Sequence, residues 1–517
     1  MPKVFEQVAA EYPDYLRDES RKMGCADAIA FPESEAEVAE LLAAAGKRGT
    51  PVTVQGARTG LTGGAVPDGG LILNLSRMNR ILGVSWNDEN AAWRVRVQPG
   101  LLLAELRSFL AGEGGSEQAA GDEQFRRDGS HFFPTDPTET TASLGGMAAC
   151  NASGALSFRY GAFRRHCHAL RVVLADGDML ALERGVHRFA GDELAVHTER
   201  GRAISCRRPN LAMPAGKHAA GYFSRPDMDA VDLFIGAEGT LGVITELDLL
   251  LSPSPACAWG AVVFLPHEPA AVSLVVALRE SGTRPAALEY FSPEILELLH
   301  RHRETHPGFE AIPALPSLPA AAVYVEYHHA AEEDMDGALE ELVEKLAGLG
   351  GDPDQAWVAM DSREMARLKA FRHAAPECVN VRLDQLRRTE PRLTKLSTDL
   401  AVPDGAFSAL LERYRRDLDA SGMEYALFGH AGDNHLHVNI LPRDMDEYEA
   451  GAAIYREWAR LAVELGGTVS AEHGIGKLKR AMLEIQFSAR ELSEMRRVKE
   501  LFDPAWILNS GTFFTAA

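Results

Sequence analysis

Three histidines crowd into the stretch Gly429 to Asn439, Gly-His-Ala-Gly-Asp-Asn-His-Leu-His-Val-Asn, at positions 430, 435 and 437. A second cluster, Ser-Ala-Glu-His-Gly-Ile-Gly-Lys from Ser470 to Lys477, places Glu472 beside His473. Neutral imidazoles and a carboxylate suit a first-row divalent cation. The two clusters hold one imidazole more than such a site needs, and a spare histidine can move protons near neutral pH. If Leu436 to Leu441 is a strand, side chains 435, 437 and 439 share one face, which His430 approaches from the preceding Gly/Asp turn. A lone histidine is usually satisfied in a core or solvated. Three with an acidic partner in a second glycine-rich segment point to a site.

A second chemical signal lies far upstream. Gln55 to Gly64 reads Gln-Gly-Ala-Arg-Thr-Gly-Leu-Thr-Gly-Gly directly after a strand-like run. Its glycines let the backbone turn tightly and bring N–H groups against a phosphate. The spacing is not G-x-G-x-x-G, and no Lys-Ser/Thr follows as in a Walker loop; Gly474-Ile475-Gly476-Lys477 fits neither pattern. On residues alone this is an anion-binding loop or a structural turn.

The elements that must carry these segments read as α+β. Glu35 to Gly46 has the spacing of an amphipathic helix, and Pro51 to Gln55 reads as the strand that delivers the glycine loop. Ala92 to Gln98 alternates apolar with polar, and Arg171 to Ala175 runs into an Asp176-Gly177 turn. Residues 1–29 read as a helical lead-in. Ser252-Pro253-Ser254-Pro255 marks a boundary, beyond which strands alternate with charged helices such as Glu332 to Leu349.

With 517 residues, the chain calls for two or three domains. A net charge of −21 argues against a surface that neutralises nucleic-acid phosphates. The cysteines at 25, 150, 167, 206, 257 and 378 form no C-x-x-C pair, which predicts reduced thiols and no iron–sulfur cluster within the chain. Met1 to Gln7 lacks the apolar core of a signal peptide, and no long apolar run follows, so the expectation is a cytoplasmic protein without an integral membrane segment. Peripheral membrane association and a homodimer are both compatible with this reading.

The glycine loop is followed by Phe133-Pro134-Thr135-Asp136-Pro137, Ala142-Ser143-Leu144-Gly145-Gly146-Met147, Asn151-Ala152-Ser153-Gly154 and Tyr160-Gly161. Then comes Ile235-Gly236-Ala237-Glu238-Gly239-Thr240-Leu241-Gly242-Val243-Ile244-Thr245. In this order the motifs resemble the FAD-binding domain of the vanillyl-alcohol-oxidase (PCMH-type) flavoproteins. The closing Phe502-Asp503-Pro504 and Leu508-Asn509 are similar to that family's last segment. The histidine clusters resemble its glycolate oxidase/D-lactate dehydrogenase/D-2-hydroxyglutarate dehydrogenase branch. The likeness implies a lead-in over 1–29, a two-part FAD-binding domain over 30–253, an α+β cap over 254–470 and a segment over 471–517 that returns to the flavin.

Carried onto this chain, the resemblance implies that Gln55, Gly56, Ala57, Arg58, Thr59, Gly60, Leu61, Thr62, Gly63 and Gly64 wrap the FAD pyrophosphate. Asp136, Pro137, Thr138, Thr141, Gly145, Gly146, Asn151, Ser153, Gly154, Glu238, Gly242, Ile244 and Asn509 would line the rest. The loop carries Arg58-Thr59 and no histidine for a covalent flavin link, so FAD is expected to be noncovalent. The resemblance further implies His430, His437 and Glu472 as metal ligands, His473 as base and Asn439 as a group that orients substrate. Zinc suits these ligands, and iron or manganese would also be accepted.

Where the branch commonly has Gly-Asn, this chain has Asn434-His435, making His435 an extra imidazole. It could be a donor behind the ligands, a substrate contact or a solvated side chain. Arg372, in Phe371-Arg372-His373-Ala374-Ala375-Pro376-Glu377, matches an arginine that grips the substrate carboxylate with two prongs. Pro376 stands where the hydroxyglutarate enzymes carry threonine, and the nearby lysine is Lys395, with Ser397 at the lysine position of those enzymes. These departures rank D-lactate or another monocarboxylic D-2-hydroxy acid above D-2-hydroxyglutarate, with Lys395 retained as a substrate contact.

Three functions compete: an FAD- and metal-dependent D-2-hydroxy-acid dehydrogenase, a metallohydrolase, and a flavin-binding subunit of a larger oxidase. The hydrolase has no use for the long flavin-like part. Electrons taken by the first would leave to an external carrier: an electron-transferring flavoprotein, a quinone or oxygen.

Overall fold

Val38, Leu41, Leu42 and Ala45 recur at helical spacing. The computed structural model describes residues 3–113, 123–303, 305–306, 309, 312–315, 320–331 and 335–515, and it forms helix Glu35–Arg48 over that stripe. Ser34 caps the helix by accepting from the Glu37 N–H, and Gly49 ends it at a φ of 64°. The chain then enters strand Val52–Gln55, which pairs in parallel with Leu71–Asn74 in a four-stranded sheet with Ala28–Ala30 and Val4–Glu6. The glycine loop therefore leaves the end of a buried strand.

The helical lead-in expected over residues 1–29 is corrected here. In its described part only Val8–Glu11 is α-helical, followed by the 3-10 turn Pro13–Leu16, and Val4–Glu6 pairs with Ala28–Ala30. Pairing with a distant strand outweighs local helix preference.

A five-stranded antiparallel sheet follows, in the order Ile81–Asn87, Ala92–Val97, Val243–Leu250, Cys167–Val173, Met179–Glu183. Ala92–Val97 buries Trp93, Val95 and Val97 on one face, as period-two alternation requires. The strand expected over Arg171 to Ala175 starts earlier and ends at Val173; Gly177 supplies the left-handed turn at a φ of 78°.

The change of sheet falls just after Ser252–Pro253, which pairs with His131–Phe132; the next strand, Cys257–Leu265, belongs to a large antiparallel sheet. Its order is Trp357–Ala359, Cys257–Leu265, Ala321–His329, Ala287–Phe291, Glu424–His430, His435–Leu441, Leu396–Ser397. Leu400–Ala401 also pairs with His435–Leu441. The helix expected over Glu332 to Leu349 is described as Met335–Gly348, and residues 332–334 lie outside the described residues. Among the described residues no helix is long and apolar enough to cross a membrane. All six cysteines are free.

The last segment folds back onto the first sheet. Leu508 bridges to Val52; Asn509 accepts from the Val54 N–H at 2.7 Å and donates to the Glu238 carbonyl at 2.6 Å. Lys499, on helix Ala489–Phe502, holds this return. Its buried ammonium donates to the Thr240 carbonyl at 2.7 Å, the Leu508 carbonyl at 3.0 Å and the Asp503 carboxylate. Lys499→Met leaves Asp503 buried without its cation and should cost about 3–5 kcal/mol. Urea denaturation of the flavin-free protein reads this out. An unchanged midpoint would contradict the role.

Candidate functional site

The glycine loop and the histidine clusters meet at one cavity of about 1150 Å3. Gly56 to Leu61 with Thr62 and Gly64 form one wall, joined by Pro137, Thr138, Gly145, Gly146, Ser153, Gly154, Glu238, Gly242, Ile244 and Asn509. The Ser143 hydroxyl accepts from both the Ala57 and the Gly146 N–H, tying the loop to helix Leu144–Ala149. At Gly154 an added Cβ would fall 1.6 Å from the Asp136 carbonyl, so two segments of this wall approach as only glycine allows. At Gly60 a Cβ would meet nothing within 4 Å and would project into open space. A long, glycine-floored cavity of this size fits an extended dinucleotide such as FAD.

Five residues expected against the cofactor, Gln55, Gly63, Asp136, Thr141 and Asn151, do not line this cavity. The Gln55 amide donates to the Tyr15 and Ala65 carbonyls at 2.8 and 2.7 Å, bracing the loop from outside. Gly63 faces Leu478, Thr141 bonds Glu139, and Asp136 accepts from Arg107 at 2.8 Å. Asn151 is left-handed at a φ of 51° and bonds the Arg164 N–H and the His218 carbonyl.

Strands Glu424–His430 and His435–Leu441 form a hairpin whose register sets His430 opposite His435. Asn434 turns the corner at a φ of 53°. His437 Nε2 lies 3.2 Å from Glu472 Oε1, and His430 Nε2 lies 3.4 Å from Glu472 Oε2. The opposite ring nitrogens are engaged: His430 Nδ1 with Glu289 Oε1 at 2.7 Å, His437 Nδ1 with the Thr398 carbonyl at 3.1 Å. In the neutral rings these partners would hold the proton on Nδ1 and leave each Nε2 facing the carboxylate. Two imidazole lone pairs and a carboxylate converging at ligand-to-ligand distance fit a divalent cation such as zinc. Burial alone would lower the pKa of His430, but the Glu289 carboxylate raises it to about 9. Burial would raise Glu472, yet Lys217, His430 and His435 hold it well below the carboxylate range.

His473 faces the same cavity, its ring stacked 5.3 Å from that of His437. Burial pushes its pKa down to about 4 against the pull of Asp399, so it is neutral at neutral pH. Asp399 Oδ2 lies 3.6 Å from its Nδ1 and accepts the His473 backbone N–H at 3.0 Å. That fixes the ring from behind.

Arg372 is buried on helix Ser362–Arg387 and lines the cavity. One Nη2 contacts Asp136 at 3.4 Å and His373 at 2.9 Å, while its Nε has no partner. Pro376 cannot return an N–H to the Arg372 carbonyl one turn back. Asn439 lines the cavity with its buried Oδ1 unpaired. Lys395 lines it farther out, 3.5 Å from Asn380 Oδ1, with burial lowering its pKa to about 8. His435 is fully buried, does not line the cavity, and sits 3.1 Å from Asp399 Oδ1. Both the solvated reading and the substrate contact expected for His435 are thereby corrected. Glu289, Asp399 and Lys217 escaped the sequence reading. Each is an ordinary charged residue in its own segment, and only partners from other segments reveal it.

Residues 26–183 match the family model described as an FAD binding domain, and 258–513 match that of the C-terminal domain of FAD linked oxidases. A protein of Danio rerio named "Probable D-lactate dehydrogenase, mitochondrial" is 30% identical over 96% of this chain and 86% of its own length. A glycolate oxidase subunit of Bacillus subtilis is 27% identical (94% of this chain, 89% of that one), and a D-2-hydroxyglutarate dehydrogenase of Stutzerimonas stutzeri is 28% identical (95% and 91%). Among solved structures, a 4-ethylphenol oxidase from Gulosibacter chungangensis superposes with a TM-score of 0.65 at 19% identity, covering 99% of this chain and 94% of that one. An alkyldihydroxyacetonephosphate synthase gives 0.64 at 16% identity, covering 98% and 81%. These two show the fold.

Gly60→Val tests the cavity wall, because a Cβ at this position meets nothing within 4 Å. The variant should fold with wild-type thermal stability in its flavin-free form and retain no FAD. Wild-type flavin content after purification would remove the loop from the cofactor site.

Proposed function

We infer the reaction from one premise, that the chain belongs to the FAD-linked oxidases of the hydroxy-acid dehydrogenase type. It oxidises a D-2-hydroxy acid of the lactate kind to the 2-oxo acid, passing the Cα hydride to noncovalent FAD. The observation that carries this reading is the convergence of His430, His437, Glu472, His473 and Arg372 on the cavity that holds the glycine loop.

Proton chemistry sets the difficulty. An unassisted hydroxyl near the value of water, about 15.7, lies about nine units above a free imidazole at about 6.5, a mismatch of about 12 kcal/mol. Bound FAD supplies the two-electron acceptor, and a divalent cation held by His430, His437 and Glu472 supplies the polarisation that acidifies the substrate hydroxyl. His473, neutral and backed by Asp399, takes the hydroxyl proton at Nε2. Arg372 grips the substrate carboxylate through the guanidinium edge left without a full set of partners. Asn439 offers its unpaired amide oxygen to orient the substrate. Electrons then leave to an external carrier.

A second reading has one observation in its favour. Lys395 lines the same cavity and has no carboxylate partner among the described hydrogen bonds, so a substrate with a distal acidic group, such as D-2-hydroxyglutarate, would find a cation there. Comparing kcat/KM for D-lactate and D-2-hydroxyglutarate ranks the two substrates.

Metal and base are separable. His437→Ala and Glu472→Ala should lose bound metal and activity with FAD retained. His473→Ala should keep both metal and FAD yet lose about 10²–10⁴-fold in turnover, the usual worth of a general base. Full metal occupancy in the first two variants sinks the ligand assignment, and wild-type turnover in the third sinks the base.

Arg372→Lys keeps a charge but not the two-pronged geometry. It should raise KM and cost about 1.5–3 kcal/mol in kcat/KM. An unchanged KM for every 2-hydroxy acid turned over would take Arg372 out of the site.

A further inference from the structure

Lys217 reaches the back of the His/Glu centre from the loop that precedes Gly221. Its ammonium, 6% exposed, donates to Glu472 Oε2 at 2.8 Å and lies 3.4 Å from His435 Nδ1. The Ser153 hydroxyl donates to the same Oε2 at 3.3 Å. A carboxylate oxygen has two lone-pair sites, so these two donors fill Oε2. His430 Nε2, 3.4 Å from Oε2, would ligate the ion and would then add no donor there, its Nδ1 being engaged by Glu289. Among the described residues, Oε1 has the ring nitrogens of His437 and His473 beside it, at 3.2 and 3.6 Å.

His435 keeps the lysine in place. Its Nε2 sits 3.1 Å from Asp399 Oδ1, and its Nδ1 faces the Lys217 ammonium at 3.4 Å. His435 is buried without exposure and off the cavity wall, and its Nδ1 also lies 3.9 Å from Glu472 Oε2. The result is a chain of contacts from Asp399 through His435 and Lys217 to Glu472.

We propose that Lys217 is a positioning residue for the divalent cation. By occupying Oε2 it presents Oε1 of Glu472 to the ion, and His435 holds the lysine in that role. The proposal rests on the metal reading above. An ammonium so close to the ligand set also repels a dication by charge alone. Positioning and repulsion predict opposite signs for the loss of Lys217, so a single affinity measurement separates them.

The test is a Co2+ titration of the metal-stripped, FAD-loaded full chain, wild type against Lys217→Met, with flavin content as the check on folding. Positioning predicts that Co2+ binds Lys217→Met about 10–100-fold more weakly, the usual effect of losing a group that orients a metal ligand. Wild-type affinity, or tighter binding, overturns the proposal. Should Lys217→Met fail to retain flavin, His435→Asn removes the ring that holds the lysine: weakened Co2+ binding supports the proposal and wild-type affinity overturns it. A wild-type protein that takes up no Co2+ would instead sink the metal reading itself, a result distinct from either.

Discussion

Asp399 lies without exposure at the bend between strands Leu396–Ser397 and Leu400–Ala401, where an uncompensated carboxylate would cost on the order of several kcal/mol. Donors must therefore converge on it, and they come from the segment that carries the chemistry. Ser470 Oγ donates at 2.6 Å, Lys479 Nζ at 3.0 Å, and the backbone N–H groups of Glu472 and His473 at 3.2 and 3.0 Å. Burial alone would raise the Asp399 pKa, but His473, Lys479 and His435 hold it well below the carboxylate range. Satisfying this one charge pins the Ser470 to Lys479 loop to the edge of the large sheet. It thereby sets where Glu472 meets His430 and His437, and where His473 faces the cavity.

The same loop is clasped from the other side by the cofactor half of the molecule. Glu238, left-handed at a φ of 50°, accepts the Ile475 and Gly476 N–H groups at 2.7 and 2.8 Å. Burial lifts its pKa to about 7 in spite of those two donors. The Thr62 carbonyl accepts from Lys477 and Leu478 N–H, and a Cβ at Gly476 would strike that carbonyl at 2.2 Å. Ser153, on the flavin wall, donates to Glu472 itself. The glycine loop and the His/Glu cluster are thus joined by short bonds through one ten-residue stretch, Ser470 to Lys479, so both sides of the cavity are positioned by the same backbone.

Local signals made much of this legible. The spacing of two between His435, His437 and Asn439 predicted a shared strand face, and the glycines at 56, 60 and 64 predicted a tight loop leaving the strand end, because both follow from neighbours in the chain. Ordered glycine motifs identified the cofactor half for the same reason. What stayed hidden depends on distant partners. Glu289 looks like any acid in Ala287–Phe291 until His430 arrives from the facing strand, and Lys217 is anonymous until Glu472 lies beside it. Gln55, Asp136 and Asn151 sit inside cofactor motifs yet turn their side chains into protein, a direction that motif spacing does not encode. The strand at Val4–Glu6 exists only because Ala28–Ala30 offers it an edge.

On the proposed reading, hydride leaves a 2-hydroxy acid bound next to FAD only when His430, His437 and Glu472 hold the metal. Anaerobic stopped-flow reduction of the flavin by D-lactate tests it directly, on protein as purified, after chelation with FAD retained, and after return of Zn2+. Rapid bleaching is expected of the protein as purified, with a loss of about 10²-fold or more after stripping and recovery with the ion. Bleaching at an unchanged rate without metal would contradict it.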